Sequence, residues 1–126
     1  METYTDTAYK AFAEETVDAL LNKEGFLVEL GTADGTVKLA TSAATAIGVL
    51  FQKQPGNPHV NVRLLGKGGT VKVVAGGAIA KGALVTWGTG GKFVSAASGN
   101  TLGRKLTQGN SADNDVIEIV DQLRTT

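Results

Sequence analysis

The side chains that most often carry catalysis are scarce in this chain of 126 residues. It contains no cysteine and a single histidine, His59, which excludes disulfides, thiolate chemistry and metal sites built from several histidines. His59 follows Pro58 at the predicted start of a strand and has no histidine partner in the sequence. We therefore assign it neither a ligand role nor the role of a general base.

Two further segments have residue types that could do chemistry. Asp113, Asp115 and Glu118 could hold a hard cation, but their spacing lacks the EF-hand pattern and is typical of a polar turn before a strand. Gly88–Gly91 is followed by no Gly-Lys-Ser/Thr motif and no helical pattern continues from Lys92, so hairpin glycines explain it better than a phosphate loop. We predict no catalytic residue, no cofactor and no metal, and hence a protein that is not an enzyme.

Charge and glycine divide the chain into two predicted parts. Residues 1–24 carry six acids and two lysines and no glycine, whereas all 17 glycines lie between Gly25 and Gly109. Nine basic residues and no acid occur between Asp34 and Asp113. We interpret this as an acidic arm of residues 1–24 followed by a β-domain of residues 25–126. No apolar run approaches the roughly 20 residues that cross a bilayer, and residues 1–24 lack a signal-peptide pattern, so we expect a soluble protein with no membrane partner.

The arm has an apolar pattern that favours a helix. Tyr9, Ala13, Val17 and Leu20 fall within about a quarter turn of one another at helical spacing, which predicts an amphipathic helix within residues 7–22. Residues 17–23 could instead begin the first strand, and a terminus without a role is a further alternative.

The body reads as strands separated by glycine-rich turns. Short apolar or alternating runs at intervals of 8–12 residues predict an all-β fold, a small antiparallel barrel or sandwich. The predicted strands are Phe26–Leu30, Thr36–Ala40, Ala46–Gln52, Val60–Leu65, Thr70–Ala75, Ala83–Trp87, Lys92–Ala96, Thr101–Leu106 and Val116–Val120. The predicted core comprises Leu27, Val28, Leu30, Val37, Ile47, Val49, Val71, Val73, Leu84, Val85, Trp87, Phe93, Leu102, Ile117 and Ile119.

The body also contains an internal duplication. Sliding residues 25–50 onto residues 82–105 pairs Val28 with Val85, Leu30 with Trp87 and Gly48 with Gly103, among others. We predict two β half-units, about residues 25–66 and 67–120, that together close one core.

Three non-catalytic functions are compatible with these residues. The basic stretch suggests a nucleic-acid-binding β-module, but its cations are spread widely and the acidic arm would oppose phosphate. A lipoyl-like or biotinyl-like carrier domain would use Lys92 at a hairpin tip, although the flanking residues do not match that motif. The third function is structural, and it rests on a resemblance.

Several segments together resemble the capsid cement, or head decoration, proteins of tailed bacteriophages. They are Gly25–Leu30, Asp34–Ala40, Ala46–Leu50, Gly69–Val85, Gly91–Ala97, Asn100–Arg104 and Asp115–Val120, so the resemblance covers about residues 25–120. It implies a β-tulip-like body that forms a homotrimer on the outer surface of a phage head, after synthesis in the host cytoplasm. There it would bridge major capsid subunits and stabilise the shell. Residues 1–24 depart from the shorter start of that family.

We expect residues 1–24 to act as a docking arm for the capsid or a neighbouring subunit. Tyr4, Tyr9 and Phe12 would supply apolar contact area, while acids including Glu14 and Glu15 would pair with basic residues on the neighbour. On this view, deletion of residues 1–16 weakens capsid binding and leaves the β-domain folded.

Overall fold

The regular secondary structure is almost entirely β-strand in a computed structural model that describes residues 7–96 and 99–124. A short 3-10 turn spans Thr89–Gly91, and the described residues contain no helix long and apolar enough to cross a membrane. The ten strands are β1 (Tyr9–Glu14), β2 (Leu27–Leu30), β3 (Thr36–Leu39), β4 (Ala46–Lys53), β5 (His59–Leu64), β6 (Thr70–Val74), β7 (Leu84–Trp87), β8 (Phe93–Ser95), β9 (Thr101–Lys105) and β10 (Val116–Arg124).

The predicted all-β class is confirmed, and each of the nine predicted strands is present. Eight of them differ from the prediction by at most one residue at each end, and β10 continues four residues beyond the predicted Val120. The predicted helix within residues 7–22 is wrong. Residues 9–14 form strand β1, and bends and turns follow to residue 22. Asp18 and Asn22 have φ angles of 64° and 62°, in the left-handed region that interrupts a helix. Pairing of β1 with two other strands therefore outweighs the helical spacing of its apolar residues.

Strands β1 to β5 form a closed barrel in the order β1-β3-β2-β4-β5. Strand β1 closes it by pairing antiparallel with β5, where Tyr9 lies opposite Arg63, and parallel with β3, where Ala13 lies opposite Thr36. The expectation that residues 1–16 can be deleted without unfolding the body is therefore corrected. Without β1, the facing edges of β3 and β5 would lose their backbone partners.

Strands β6 to β10 form a second sheet in the order β6-β10-β9-β7-β8. If β6 to β10 are taken as the counterparts of β1 to β5 in the same sequence, this is the strand order around the closed barrel, read in the opposite direction. Residues that align in the sequence duplication also occupy equivalent registers. Val28 lies opposite Gly48 and Val85 opposite Gly103; Leu30 lies opposite Val37 and Trp87 opposite Phe93. A parallel bridge between Ala75 and Phe93 matches the barrel contact of Glu14 with Val37, so β1 and β6 occupy equivalent places.

Two apolar cores share strands β2 and β4. Val28 and Leu50 point into the barrel, whereas the adjacent Leu27 and Val49 pack against the second sheet. Because both faces of these strands are buried at these positions, Leu27-Val28 and Val49-Leu50 are consecutive apolar residues, with no polar residue alternating between them. The barrel core contains Leu20, Val28, Val37, Leu50, Val60 and Val62.

Most of the predicted core is buried. Ile47, Leu84 and Trp87 are only partly buried, and Leu30 is 58% exposed, so its prediction is wrong. Leu30 is the last residue of β2 and lies opposite Val37 at the edge of the barrel core, whereas the neighbouring Glu29 is buried. The carboxylate of Glu29 accepts hydrogen bonds from the hydroxyl of Thr45 at 2.6 Å and the N–H of Thr41 at 2.8 Å, which makes its burial tolerable.

Candidate protein-docking surfaces

The side chains considered above for catalysis, metal binding or covalent modification either contact other residues of the chain or lie far from one another. His59 is exposed at the start of β5, and no group of three or more His, Asp or Glu side chains converges within residues 7–96 and 99–124. Asp115 accepts a hydrogen bond from the N–H of Ala112 at 2.8 Å, as expected for a polar turn. Lys92, the carrier-lysine candidate, forms an ion pair with Asp113 at 3.1 Å.

The predicted contact residues of the arm fall in different environments. Tyr4 lies outside the described residues. Tyr9 is at the beginning of β1, Phe12 and Glu14 are further along the same strand, and Glu15 follows it. Strand β1 is six residues long, so its two ends are about 17 Å apart at roughly 3.3 Å per residue.

An exposed aromatic pair marks the first end of β1. The rings of Tyr9 and Phe51 meet edge to face, with centroids 4.9 Å apart and planes at 63°. Tyr9 is 46% exposed and Phe51, on β4, is 54% exposed. The exposure of Phe51 was not predicted from the sequence, because Phe51 continues the apolar run of a buried strand. Phe51 lies where the register of β4 with β5 shifts, between Leu50 and Gln52. Two neighbouring aromatic rings on a surface are typical of a protein interface.

The aromatic pair borders a groove of about 420 Å³ between the barrel and the second sheet. We call it the docking groove. Its lining comprises Tyr9, Glu24, Gly25, Val49, Leu50, Phe51 and Arg63 from the barrel, and Thr70–Val74, Val116 and Glu118 from the second sheet. At one end the N–H of Val74 donates to the carbonyl of Gly25 at 3.1 Å, which joins the two units.

Phe12 belongs mainly to the interior. It is partly buried and packs against the barrel core, and the Nζ of Lys10 lies 5.9 Å from its ring centroid. Its ring therefore supplies less free contact area than the arm hypothesis expects.

Glu14 is buried, in contrast to the expectation that it pairs with a neighbouring subunit. Its Oε1 lies 3.0 Å from the Nζ of Lys53, and its two oxygens accept the N–H groups of Asp18 and Leu20, each at 3.0 Å. Lys53 also contacts the carboxylate of Asp18 at 2.9 Å. The carboxylate of Glu14 is thus engaged within its own chain.

The hydrogen bonds of this cluster shift its pKa values toward the charged forms. Burial acts to raise the pKa of Glu14, but the N–H donors and Lys53 outweigh it and lower the pKa below the ordinary value of 4.5. Burial likewise acts to lower the pKa of Lys53, while Asp18 and Glu14 raise it above 10.5. All three groups are charged at neutral pH.

A second exposed surface lies at the other end of β1. The N–H of Glu15 donates to the carbonyl of Val37 at 3.0 Å, and Val37 pairs with Leu30, so Glu15 lies close to Leu30. Leu30 and Val17 are 58% and 62% exposed. A hydrogen bond from the N–H of Thr32 lowers the pKa of Glu15, which keeps its exposed carboxylate ionised. We call Glu15, Val17 and Leu30 the barrel rim.

The basic stretch does not form one exposed patch. Lys53, Arg63 and Lys105 are buried, and Arg63 contacts the carboxylate of Asp121 at 2.8 Å. Lys105 donates to the carbonyl of Gly109. These cations serve internal contacts and are withdrawn from the surface that a phosphate backbone would need.

Comparison with known proteins identifies the fold. No family model matches the chain, and no curated protein matches its sequence. Among solved structures, it is similar to the N base of the head fiber gp8.5 of bacteriophage phi29. The similarity covers 90% of this chain and 92% of the other, with a TM-score of 0.68 and 14% sequence identity. The architecture of this chain is therefore that of a known small all-β fold.

Proposed function

We propose that this chain is a structural protein of a phage virion, a capsid decoration or cement protein on the outer surface of the head. The observation that carries the proposal is its shared architecture with a phage head fiber base over 90% of the chain. The sequence resemblance to decoration proteins, carried by glycine and apolar spacings over residues 25–120, leads separately to the outside of a phage head. In this role the protein bridges major capsid subunits, forms a homotrimer and stabilises the shell, with no catalytic step.

The contacts between the barrel and the second sheet are suited to a protein that stabilises a capsid. Strands β2 and β4 contribute to both cores, so neither unit can shift without disturbing the other. The carboxylate of Asp121 links β10 to the turn after β5: it contacts Arg63 and accepts the N–H groups of Gly66 and Lys67 at 2.8 and 3.0 Å. A body tied together at several places keeps the spacing of its docking surfaces.

Within this proposal the barrel rim faces the shell and the docking groove faces another copy of the chain. The two surfaces lie at opposite ends of β1, so one copy can make both contacts at once. Each rim contact is small, but linked copies bind a repeated lattice with an avidity far above that of a single contact. Glu15 replaces Glu14 as the acid available to a basic residue of the shell.

The test uses phage heads assembled without the protein and purified wild-type protein. The wild type should co-sediment with heads and saturate, whereas a Val17→Ser/Leu30→Ser variant should bind at least tenfold more weakly. Leu106→Ser is the matched control, because Leu106 is 42% exposed and lies outside the rim. Absence of wild-type binding would contradict the proposed function, and equal binding by the rim variant would contradict the assigned surface.

The nucleic-acid alternative has less support than the structural role. No feature of the described residues favours it, because several cations of the basic stretch are buried or paired. Retention of the wild-type protein on DNA at physiological salt would favour the nucleic-acid-binding function instead.

A further inference from the structure

We propose that the outer face of the barrel formed by β1, β5 and β4 binds a neutral saccharide. The polar side chains of this face lie on β4, on β5 and in the turn between them. They are Gln52, Gln54, Asn57, His59 and Asn61, and we call them the amide face. These side chains belong to neither the barrel rim nor the docking groove, so the site is additional to the proposed function.

The register of three neighbouring strands brings part of this face into one row. Asn61 on β5 lies opposite Ala11 on β1 and, on its other side, opposite Gln52 on β4. Side chains of directly opposite residues point to the same side of a sheet. Val60 and Val62, on either side of Asn61, are buried in the barrel core. The row of Ala11, Asn61 and Gln52 therefore points outward, and all three residues are exposed.

Two adjoining depressions make this face concave. One has a volume of about 200 Å³ and is lined by the amide face together with Ala11 and Val60. The other has a volume of about 390 Å³ and is lined by Tyr9, Lys10, Ala11, Phe51 and Asn61. Ala11 and Asn61 line both, so the two depressions adjoin. Together they have the size of a small-molecule site, for which about 300 to 1,000 Å³ is usual.

The amide face has hydrogen-bonding groups that its own chain does not use. The Nδ2 of Asn61 donates to the Oε1 of Gln52 at 3.5 Å, which is long for such a bond. Within residues 7–96 and 99–124, the side chains of Gln54 and His59 make no hydrogen bond. A side-chain amide offers two donors and an acceptor oxygen, and a hydroxyl group both donates and accepts. A ligand with many hydroxyl groups is therefore matched by a row of amides.

The charges around the depressions favour a neutral ligand. Among the described residues, no Asp or Glu lines either depression, and the one lysine is Lys10, whose Nζ lies 5.9 Å from the ring centroid of Phe12. A phosphate-rich ligand would need several cations, and a cationic ligand would need carboxylates. A neutral saccharide needs neither.

The aromatic pair supplies the apolar contact that a sugar ring also makes. A saccharide ring carries hydroxyl groups around its edge and C–H groups on its two faces. The faces of aromatic rings are electron-rich and attract such C–H groups. Tyr9 and Phe51 are exposed and line the second depression together with Asn61. One sugar ring of a short chain can thus lie against an aromatic ring while the next bonds to the amide face.

A peptide fits this face less well than a saccharide. Peptides that bind to sheets commonly pair with a free strand edge, where main-chain hydrogen bonds supply the affinity. In the closed barrel, β1, β4 and β5 are each paired on both sides, so they offer no such edge. A peptide would be left with side-chain contacts alone.

Titration with saccharides, followed by NMR of the isotope-labelled protein, tests the proposal. Soluble oligosaccharides of glucose, galactose, mannose and N-acetylglucosamine are added separately at about 10 mM, enough to fill most of a site with millimolar affinity. At least one should shift the backbone amide signals of Ala11, Gln52 and Asn61. The signal of Leu30 on the barrel rim should stay in place.

A variant without the two central amides gives a second measurement. Asn61→Ala/Gln52→Ala should bind the same saccharide about tenfold more weakly, because two hydrogen-bonding side chains are lost. Gln122→Ala is the matched control, since Gln122 is an exposed amide on β10 that lines neither depression. Circular dichroism checks that both variants are folded, and the signal shifts of the wild type do not depend on them.

Four results would overturn the saccharide site. They are no shift with any of the oligosaccharides, shifts confined to residues outside the two depressions, equal binding by Asn61→Ala/Gln52→Ala and the wild type, and shifts at the amide face with an uncharged alanine–glycine peptide but with no saccharide. Head binding reports on the proposed function separately. The Asn61→Ala/Gln52→Ala variant should co-sediment with heads as the wild type does, because neither residue belongs to the barrel rim.

Discussion

Glu14 and Lys53 form an ion pair at 3.0 Å in which both side chains are fully removed from solvent. The pair fastens the end of β1 to the end of β4, two strands that are not neighbours in the barrel. It also fixes the turns after β1, because the same carboxylate accepts the N–H groups of Asp18 and Leu20. Residues 14–20 are thereby built into the barrel, in contrast to the separate arm that their charge suggested.

Replacement of Glu14 should destabilise the protein clearly. Glu14→Gln leaves the Lys53 ammonium buried with one charged partner fewer, and removal of one member of a buried pair is far more costly than loss of an exposed pair. We expect the urea midpoint, followed by circular dichroism, to fall. Asp34→Asn is the control, since Asp34 is exposed in a turn. Equal midpoints for the two variants would show that the ion pair contributes little.

The same cluster predicts how stability depends on pH. The pKa of Glu14 is lowered on folding, so its contribution is present above its ordinary pKa of 4.5 and is lost as pH falls through the lower folded value. The pKa of Lys53 is raised, so its contribution is complete below 10.5 and is lost only at more alkaline pH. Urea midpoints should be flat near neutrality and decline below about pH 4.5. The fall of the urea midpoint at acid pH should be shallower in Glu14→Gln than in the wild type. An unchanged fall would show that protonation of Glu14 does not cause it.

Two phenylalanines provide a matched test of core against surface. Phe93 is fully buried and Phe51 is 54% exposed. Phe93→Ala should lower the free energy of unfolding by about 3 to 5 kcal/mol, and Phe51→Ala by less than about 1 kcal/mol. Phe51→Ala should instead lower the solution mass measured by light scattering, because it removes part of the docking groove. A large loss of stability in Phe51→Ala, with no change in mass, would place that ring in the core.

Replacement of the equivalent glycines of the two units by alanine should lower the stability of the protein by similar amounts. A Cβ at Gly48 would lie 2.5 Å from the carbonyl oxygen of Arg63, and a Cβ at Gly103 would overlap that of Val120. Both neighbours are backbone atoms of paired strands, so they cannot yield as a flexible side chain would. Gly48→Ala and Gly103→Ala should each cost about 1 to 3 kcal/mol in chemical denaturation. Tolerance of alanine at either position would mean that strand pairing there is looser than the structure shows.

Local signals explain which parts of the fold were predictable from sequence. Alternating apolar runs bounded by glycine turns predicted nine strands, and the duplication aligned residues that occupy equivalent registers, such as Val28 and Val85. Strand β1 was missed because its partners lie about 23 and 50 residues away, and its apolar spacing also fits a helix. Leu30 was misassigned because it is the last residue of β2: it lies opposite Val37, a residue of the barrel core, but the end of the strand leaves it 58% exposed.

The candidate docking surfaces were predictable only in part. Tyr9 and Glu15 were named from residue type and are exposed, whereas Glu14 was named on the same grounds and is buried. Nothing local distinguishes Glu14 from Glu15, since burial depends on Lys53, 39 positions away in the chain. The groove itself arises from the packing of two sheets, and no short stretch of sequence encodes it.

The stability of phage heads with and without the protein tests the central claim most directly. Heads assembled without it are mixed with wild-type protein, or with the Val17→Ser/Leu30→Ser variant as control, and heated while DNA release is followed by dye fluorescence. The account predicts that the wild-type protein raises the temperature of DNA release and that the variant does not at the same concentration. An unchanged release temperature at saturating wild-type protein would contradict a role in reinforcing the shell.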